Sequence, residues 1–263
     1  MDLAEARARG FEASIRHPWE TARIEVVGRL LRDRAAVGRQ AVVLDIGCGD
    51  TFVVEQLAAE YQDATFYAVD TAFTEELVER YTTRLNNPRI LLFESLDAIP
   101  PPITRPANLI LLMDVIEHIE QDRAFLIDLC RRPFIGSNTH LFVTVPAYQG
   151  LFSSHDSFLG HYRRYSNDTL RRCLEASGLK VIDIGYFFSS LVPIRLVQVA
   201  RERLLGMKPD KNSSGLVTWN GRETAASLMR DLLVLDARVS MLLTKLGLRL
   251  PGLSNYAICV KSA

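Results

Sequence analysis

The sequence predicts an open α/β sheet of the nucleotide-binding kind, and three observations carry that prediction. Val42-Val43-Leu44-Asp45-Ile46-Gly47-Cys48-Gly49-Asp50 reads as a buried strand ending in a glycine turn, and residues 51–61 behind it have helical composition. Short apolar runs recur between helical segments, at 64–69, 90–93, 109–113 and 141–145, the alternation that builds a parallel sheet. Asp70 closes the second run, roughly twenty residues past the glycines, where an acid can accept both hydroxyls of a ribose.

The turn itself separates two cofactor classes. A dinucleotide site prefers G-x-G-x-x-G, because the pyrophosphate rests on the helix N-terminus. Here Phe52 holds the third glycine position and Asp50 adds negative charge, so a nicotinamide-dependent oxidoreductase is disfavoured. Asp45, an acid inside the strand end, suits a ligand with an ammonium group. S-adenosylmethionine is such a ligand: adenosine, a sulfonium, an amino group and no phosphate. The plain alternative is a glycine turn of any α/β fold.

Composition narrows the class further. The chain has 263 residues, 48% of them hydrophobic, enough for one sizeable core with an addition. A formal net charge of +0 argues against nucleic acid as a partner. The 4 Cys (Cys48, Cys130, Cys173, Cys259) form no C-x-x-C pair, so neither a zinc site nor a disulfide framework is expected, and the thiols suit a cytoplasmic setting. No signal peptide or apolar membrane span is visible.

In chain order, residues 1–39 read as helical, with Pro18 opening a new turn and Arg23 one turn beyond Trp19. By spacing, Trp19 packs on the domain and Arg23 is solvated; the alternative sends Arg23 to a cofactor carboxylate. Thr74 caps a helix over 74–85, which Asn86-Asn87-Pro88 stops. The loop Glu94-Ser95-Leu96-Asp97 and the fourth strand end, Met113-Asp114-Val115-Ile116-Glu117-His118, fall at the carboxyl edge of the sheet, where ligands bind.

These strings, in this order, resemble the class I S-adenosylmethionine-dependent methyltransferases. The last is similar to the V-L-E-H signature of branches that include ubiquinone-biosynthesis O-methyltransferases. The resemblance implies a three-layer, Rossmann-like, seven-stranded sheet with the last strand antiparallel. It implies Asp45, Gly47, Cys48 and Gly49 around the methionine moiety, Asp70 and Thr71 at the ribose, and Glu94, Ser95 and Leu96 around the adenine. Met113, Asp114, Val115 and His118 would lie below the cofactor, and Arg23 gains weight as the carboxylate partner.

A second informative stretch, Leu151-Phe152-Ser153-Ser154-His155-Asp156-Ser157-Phe158-Leu159-Gly160-His161-Tyr162-Arg163-Arg164-Tyr165, follows the fifth strand. It resembles the S-x-x-D-x-x-x-G-H-x-R-R-Y segment of a bacterial methyltransferase branch tied to cell-surface polysaccharide and lipid pathways. A His–Asp pair can serve as general base for an alcohol or phenol acceptor. His161, beside Gly160, is the first choice, with His155 and Asp156 the other catalytic candidates. Tyr162, Arg163, Arg164 and Tyr165 are expected on the substrate, the guanidiniums gripping a phosphate or carboxylate. Two rivals stay open: His155, Asp156 and His161 could ligate a divalent metal, though none is expected, or the segment is purely structural.

Residues 180–187 read as a sixth strand and 255–260 as the last. Between them the predicted helices 193–205, with Arg195, Arg201 and Arg203 on its polar side, and 223–246, rich in Leu, flank a polar loop over 207–220. The expected organisation is N-terminal helices (1–40), a cofactor-binding core (41–190), a helical insertion (191–252) and a final core strand (253–263). The insertion reads as a lid, a homodimer face or a peripheral membrane contact. The sequence therefore predicts a methyltransferase, and the possible base favours O-methylation of a small-molecule, sugar or lipid-linked acceptor; no N-P-P-Y-like amine-recognition string follows the fourth strand. A non-catalytic protein that binds the same cofactor is the alternative from another class.

Overall fold

The structure is a computed structural model that describes residues 16–35, 38, 40–100, 106–206 and 222–262. Its strands are β1 (Val42–Ile46), β2 (Thr65–Val69), β3 (Ile90–Phe93), β4 (Leu109–Met113), β5 (His140–Pro146), β6 (Leu179–Phe187) and β7 (Ser254–Lys261). They form one sheet in the order β3-β2-β1-β4-β5-β7-β6. The first five pair in parallel, while β7 runs antiparallel to both β5 and β6. The seven-stranded sheet with an antiparallel last strand is the one the sequence implied.

The helices are α1 (Pro18–Arg34), α2 (Phe52–Glu60), α3 (Glu75–Leu85), α4 (Asp122–Arg131), α5 (Ser154–Phe158), α6 (Asn167–Ala176), α7 (Leu191–Leu205) and α8 (Glu223–Lys245). Side chains of β1 and β4 alternate between two apolar layers, as a strand covered on both faces requires. Val43, Leu109 and Leu111 face α1, α2 and α8, through Leu31, Leu57, Leu233 and Ala237. Leu44, Ile46, Ile110 and Leu112 face α4 and α6, through Leu126, Leu129, Leu170 and Leu174. So α8, from the stretch before the last strand, shares the core layer of α1.

The chain steps outward from β1 to β2 and β3, then returns to β4 on the other side of β1. That reversal leaves a crevice above the carboxyl ends of β1 and β4, the place where open α/β sheets bind ligands. In α1 the His17 Nδ1 accepts from the Trp19 amide at 3.1 Å, and Pro18 fills the first helical position where no amide partner is needed. Two expectations, helix over 1–15 and the polar loop at 207–220, lie outside the described residues.

Gly252 returns the chain to β7 across the end of β6. A Cβ there would stand 2.4 Å from the Phe187 carbonyl oxygen, which is backbone and cannot swing aside. Gly252→Ala should therefore lower the melting temperature by several degrees, equivalent to about 1–3 kcal/mol of overpacking, in a calorimetric scan.

Candidate active site

The cofactor side is built from the carboxyl ends of β1, β2 and β4. Gly47 and Gly49 take the left-handed conformation, with φ of +74° and +59°. A Cβ on Gly47 would meet Val115 Cγ2 at 2.6 Å, so the turn lies directly against the residue that follows Asp114. The Gly47 and Cys48 amides donate to Val69 O, and the Gly49 amide donates to Asp70 Oδ2 at 2.9 Å. The other Asp70 oxygen accepts from the Ala72 amide at 2.9 Å, so Asp70 joins the turns after β1 and β2. Thr71 is exposed in that second turn, and Cys48 is buried under the first.

Asp45 is buried in β1, and its Oδ2 has no hydrogen-bond partner among the described residues. Burial, with Asp70 close by, pushes its carboxyl up to about 7. An uncompensated carboxylate in the strand end is costly unless a ligand cation completes it. Arg23, from α1, ion-pairs with Asp114 at the end of β4 and donates to Thr144 Oγ1 on β5 at 2.6 Å. Arg23 is thus a cofactor-side residue, not the solvated one that spacing alone suggested. Its Nε is buried without a hydrogen-bond partner among the described residues, a spare donor for an anionic group. Asp114 itself has φ +57°, a conformation Asp tolerates better than most residues. Ser95 caps the turn at Leu96–Ala98, its Oγ accepting from the Ala98 amide at 3.2 Å. Leu96 packs on the α4–α6 side of the core, and Met113 on the α1 side.

The 151–165 stretch, expected on the acceptor side, is more ordered than a loop. Ser153 caps α5 in a reciprocal capping box with Asp156. Asp156 is fully buried. Its Oδ2 accepts from the Ser153 amide at 2.9 Å and from Arg195 Nη2 at 2.8 Å. Its Oδ1 accepts from Arg164 Nε at 2.7 Å and meets His161 Nδ1 at 3.0 Å. Burial opposes its ionisation, but the bonds from His161 and Arg164 and the charge of Arg195 hold it well below the usual carboxylate range.

Asp156 thus selects His161 and not its neighbour His155, whose imidazole is held below its usual pKa by burial and by Arg195. The ring of His161 meets His118 edge to face, with centroids 4.5 Å apart. Beside them Glu117 is fully buried, both its carboxylate oxygens lack a partner among the described residues, and burial together with Asp114 raises its pKa well above the ordinary value. Ligand atoms of Glu117, His118 and His161 all lie within 4.8 Å of one another.

The remaining acceptor candidates take framework positions. Arg163 pairs with Asp122 at 2.8 Å, and Tyr165 donates to the same carboxylate at 2.7 Å. Arg164 is spent on Asp156 and on Ala147 O. Tyr162 keeps its ring exposed while its amide donates to Glu117 O at 2.8 Å. Arg195, read from the sequence as part of a polar helix face, is buried; the face it belongs to grips the acceptor stretch. From the same helix Glu202 accepts from the Ser154 amide at 2.8 Å, and Arg203 donates to Gly150 O at 2.9 Å. Amphipathic periodicity places a lone Arg outward, so this role gave no sequence signal.

A family model described as a methyltransferase domain matches residues 19–184. The chain belongs to the methyltransferase-domain family. Its cofactor is S-adenosylmethionine, and the orphaned Asp45 oxygen, the glycine cradle against Val115 and the spare Arg23 donor fit that molecule. Solved structures share the fold at low identity. A chain of the Haloferax volcanii Trm112 activator–methyltransferase complex has a TM-score of 0.57 at 16% identity, covering 98% of this chain and 94% of that one. Coclaurine N-methyltransferase, bound to N-methylheliamine and S-adenosylhomocysteine, gives 0.54 at 16%, covering 90% and 72%. The [4+2]-cyclase SpnF gives 0.55 at 15%, covering 95% and 89%, so the fold alone does not fix the reaction. No curated protein matches the chain.

Asp45→Asn tests the cofactor side in two opposite directions. The raised carboxyl makes the native state bind more protons than the unfolded chain between about pH 4 and pH 7, so stability falls as pH rises through that window. The amide removes that penalty, and the ligand-free variant should melt higher than the parent at pH 8. It also removes the charge expected to face the ammonium group, so calorimetry should show S-adenosylmethionine affinity falling about 10–100-fold.

Proposed function

We propose that the protein methylates an oxygen of a small-molecule, sugar or lipid-linked acceptor, with His161 as general base. The observation that supports this reading is the 3.0 Å contact between buried Asp156 and His161 Nδ1. A carboxylate accepts from Nδ1–H, which leaves Nε2 of the neutral ring as the proton acceptor. Asp45 would hold the ammonium group of the cofactor, Arg23 its carboxylate and Asp70 its ribose. When bound, S-adenosylmethionine supplies an electrophilic methyl carbon on a sulfonium that leaves as a neutral thioether. The chain's residues then mainly align the acceptor and hold its proton at His161 Nε2. Arg164 and Arg195 position Asp156, and Arg163 and Tyr165 anchor the stretch on Asp122.

A second reading rests on Glu117. A carboxylate with both oxygens buried and unpartnered, beside two imidazoles, has the donor set of a divalent-metal site. The Asp156–His161 contact is also the outer contact such a ligand needs. A metal there would lower the acceptor's pKa directly, and His161 would be a ligand and not a base. This trio differs from the His155–Asp156–His161 set considered from the sequence, because Asp156 is consumed by its arginines.

One set of assays separates the readings. S-adenosylhomocysteine release should be measured over a panel of phenols, alcohols and sugars. His161→Ala should lower turnover about 10²–10⁴-fold with cofactor affinity nearly unchanged, and a chelator should leave the parent enzyme active. Chelator inactivation reversed by Mg²⁺ or Zn²⁺, together with loss of metal binding in Glu117→Gln, would replace the base with the metal. Unchanged turnover in His161→Ala would end both.

A further inference from the structure

Helix α8 carries two apolar faces, and among the described residues one of them is covered. Leu233, Val234 and Ala237 are buried against α1 and the sheet. On the opposite side Leu228, Leu232, Leu235, Val239, Leu242 and Leu246 are 44–70% exposed. Their spacing is four, three, four, three, four, the repeat of a coiled-coil seam and not of a generally greasy surface. The stripe is about 27 Å long at 1.5 Å per residue.

We propose that this seam is the interface of a two-fold homodimer in which α8 packs antiparallel on α8 of a second copy. Three observations favour a second copy. The seam is nearly self-complementary about its midpoint: antiparallel packing sets Leu228 opposite Leu246, Leu232 opposite Leu242, and Leu235 opposite Val239. The flanking charges agree with that direction, because Asp231, exposed and paired at one oxygen with its neighbour Arg230 at 2.8 Å, then faces Lys245 of the other copy, whereas parallel packing would set Asp231 beside Asp236. Arg238 and Asp236 meet their own symmetry mates, but each is already partnered within its chain, to Glu25 at 3.0 Å and to the Ser190 hydroxyl at 3.1 Å. The area is adequate too. Six side chains exposed by about half leave on the order of 600 Å² per copy, near the ~800 Å² per partner of a standard interface.

An anionic membrane surface is the competing occupant. It would want basic residues on both flanks of the stripe, yet Asp231 and Asp236 lie there with Arg238 and Lys245. No described helix is long and apolar enough to cross a membrane.

The seam connects to the acceptor stretch. From α8, Ser240 bonds to Ser189 at 2.9 Å and Asp236 to Ser190, at the start of α7, the helix that carries Arg195. A dimer contact along α8 would therefore steady the helix that holds Asp156.

Sedimentation equilibrium of the full chain at micromolar concentration should give twice the chain mass. Leu235→Glu and Leu242→Glu, both on the exposed face, should keep the circular-dichroism spectrum and S-adenosylmethionine binding but sediment as monomers. Asp231→Lys should weaken association about tenfold, and adding Lys245→Asp should restore it, because the swap rebuilds the antiparallel pair. A parent protein that is monomeric at these concentrations overturns the proposal. So does a monomer that pellets with phosphatidylglycerol vesicles, which would give the seam to a membrane, or a dimer that survives both glutamate variants.

Discussion

Asp156 is a carboxylate with no exposure to water, and the acceptor side is arranged to keep it ionised. Burying a lone carboxylate is prohibitive, so its two oxygens collect a backbone amide, two guanidiniums and an imidazole. Each donor comes from a different place: the α5 cap, the segment before α6, the first turns of α7 and the turn at Gly160. One charge therefore fixes four pieces of chain relative to one another. Losing either guanidinium would leave part of that charge uncompensated, with a typical cost of about 3–5 kcal/mol. The same carboxylate orients His161, so packing of the stretch and chemistry of the imidazole are a single constraint.

The two sides of the crevice treat buried acids differently. Asp156 is over-supplied with donors, whereas Asp45 has an orphaned oxygen and Glu117 has two. Native structures rarely leave such atoms unsatisfied, and the exceptions concentrate where a ligand supplies the missing partner. Asp45 lies at the glycine turn and Glu117 beside His118 and His161, so both deficits fall at the carboxyl edge of the sheet. The protein keeps less stability there than its fold would permit, which is the usual trade for a preorganised polar site.

Much of the fold was legible. β1 and β4 are buried throughout, and apolar but for Asp45, because both faces are covered, and the glycines at 47 and 49 mark a turn made with positive φ. That Asp45, Asp70 and the glycine turn converge at one sheet edge was legible because strand ends converge by topology. Contacts between distant residues were not. Arg23 and Asp114 are 91 positions apart and Arg195 and Asp156 are 39 apart, and no local periodicity encodes either pairing. Within the 151–165 stretch the cluster was visible and Gly160 pointed to His161, but the contact that ties Asp156 to that ring was not. It depends on the capping box at Ser153, which makes a short helix and turns Asp156 toward His161. The heptad spacing along α8 was in the sequence too, but which of its two apolar faces meets the core is decided only by the packing of α1.

The central claim is that Asp156 sets the tautomer of His161. Nitrogen-15 shifts of the imidazoles, read through long-range proton correlations on the neutral ring, report that directly. The account predicts His161 protonated at Nδ1 with a bare Nε2, and loss of that pattern in Asp156→Asn. A His161 ring protonated at Nε2 in the parent protein would contradict it.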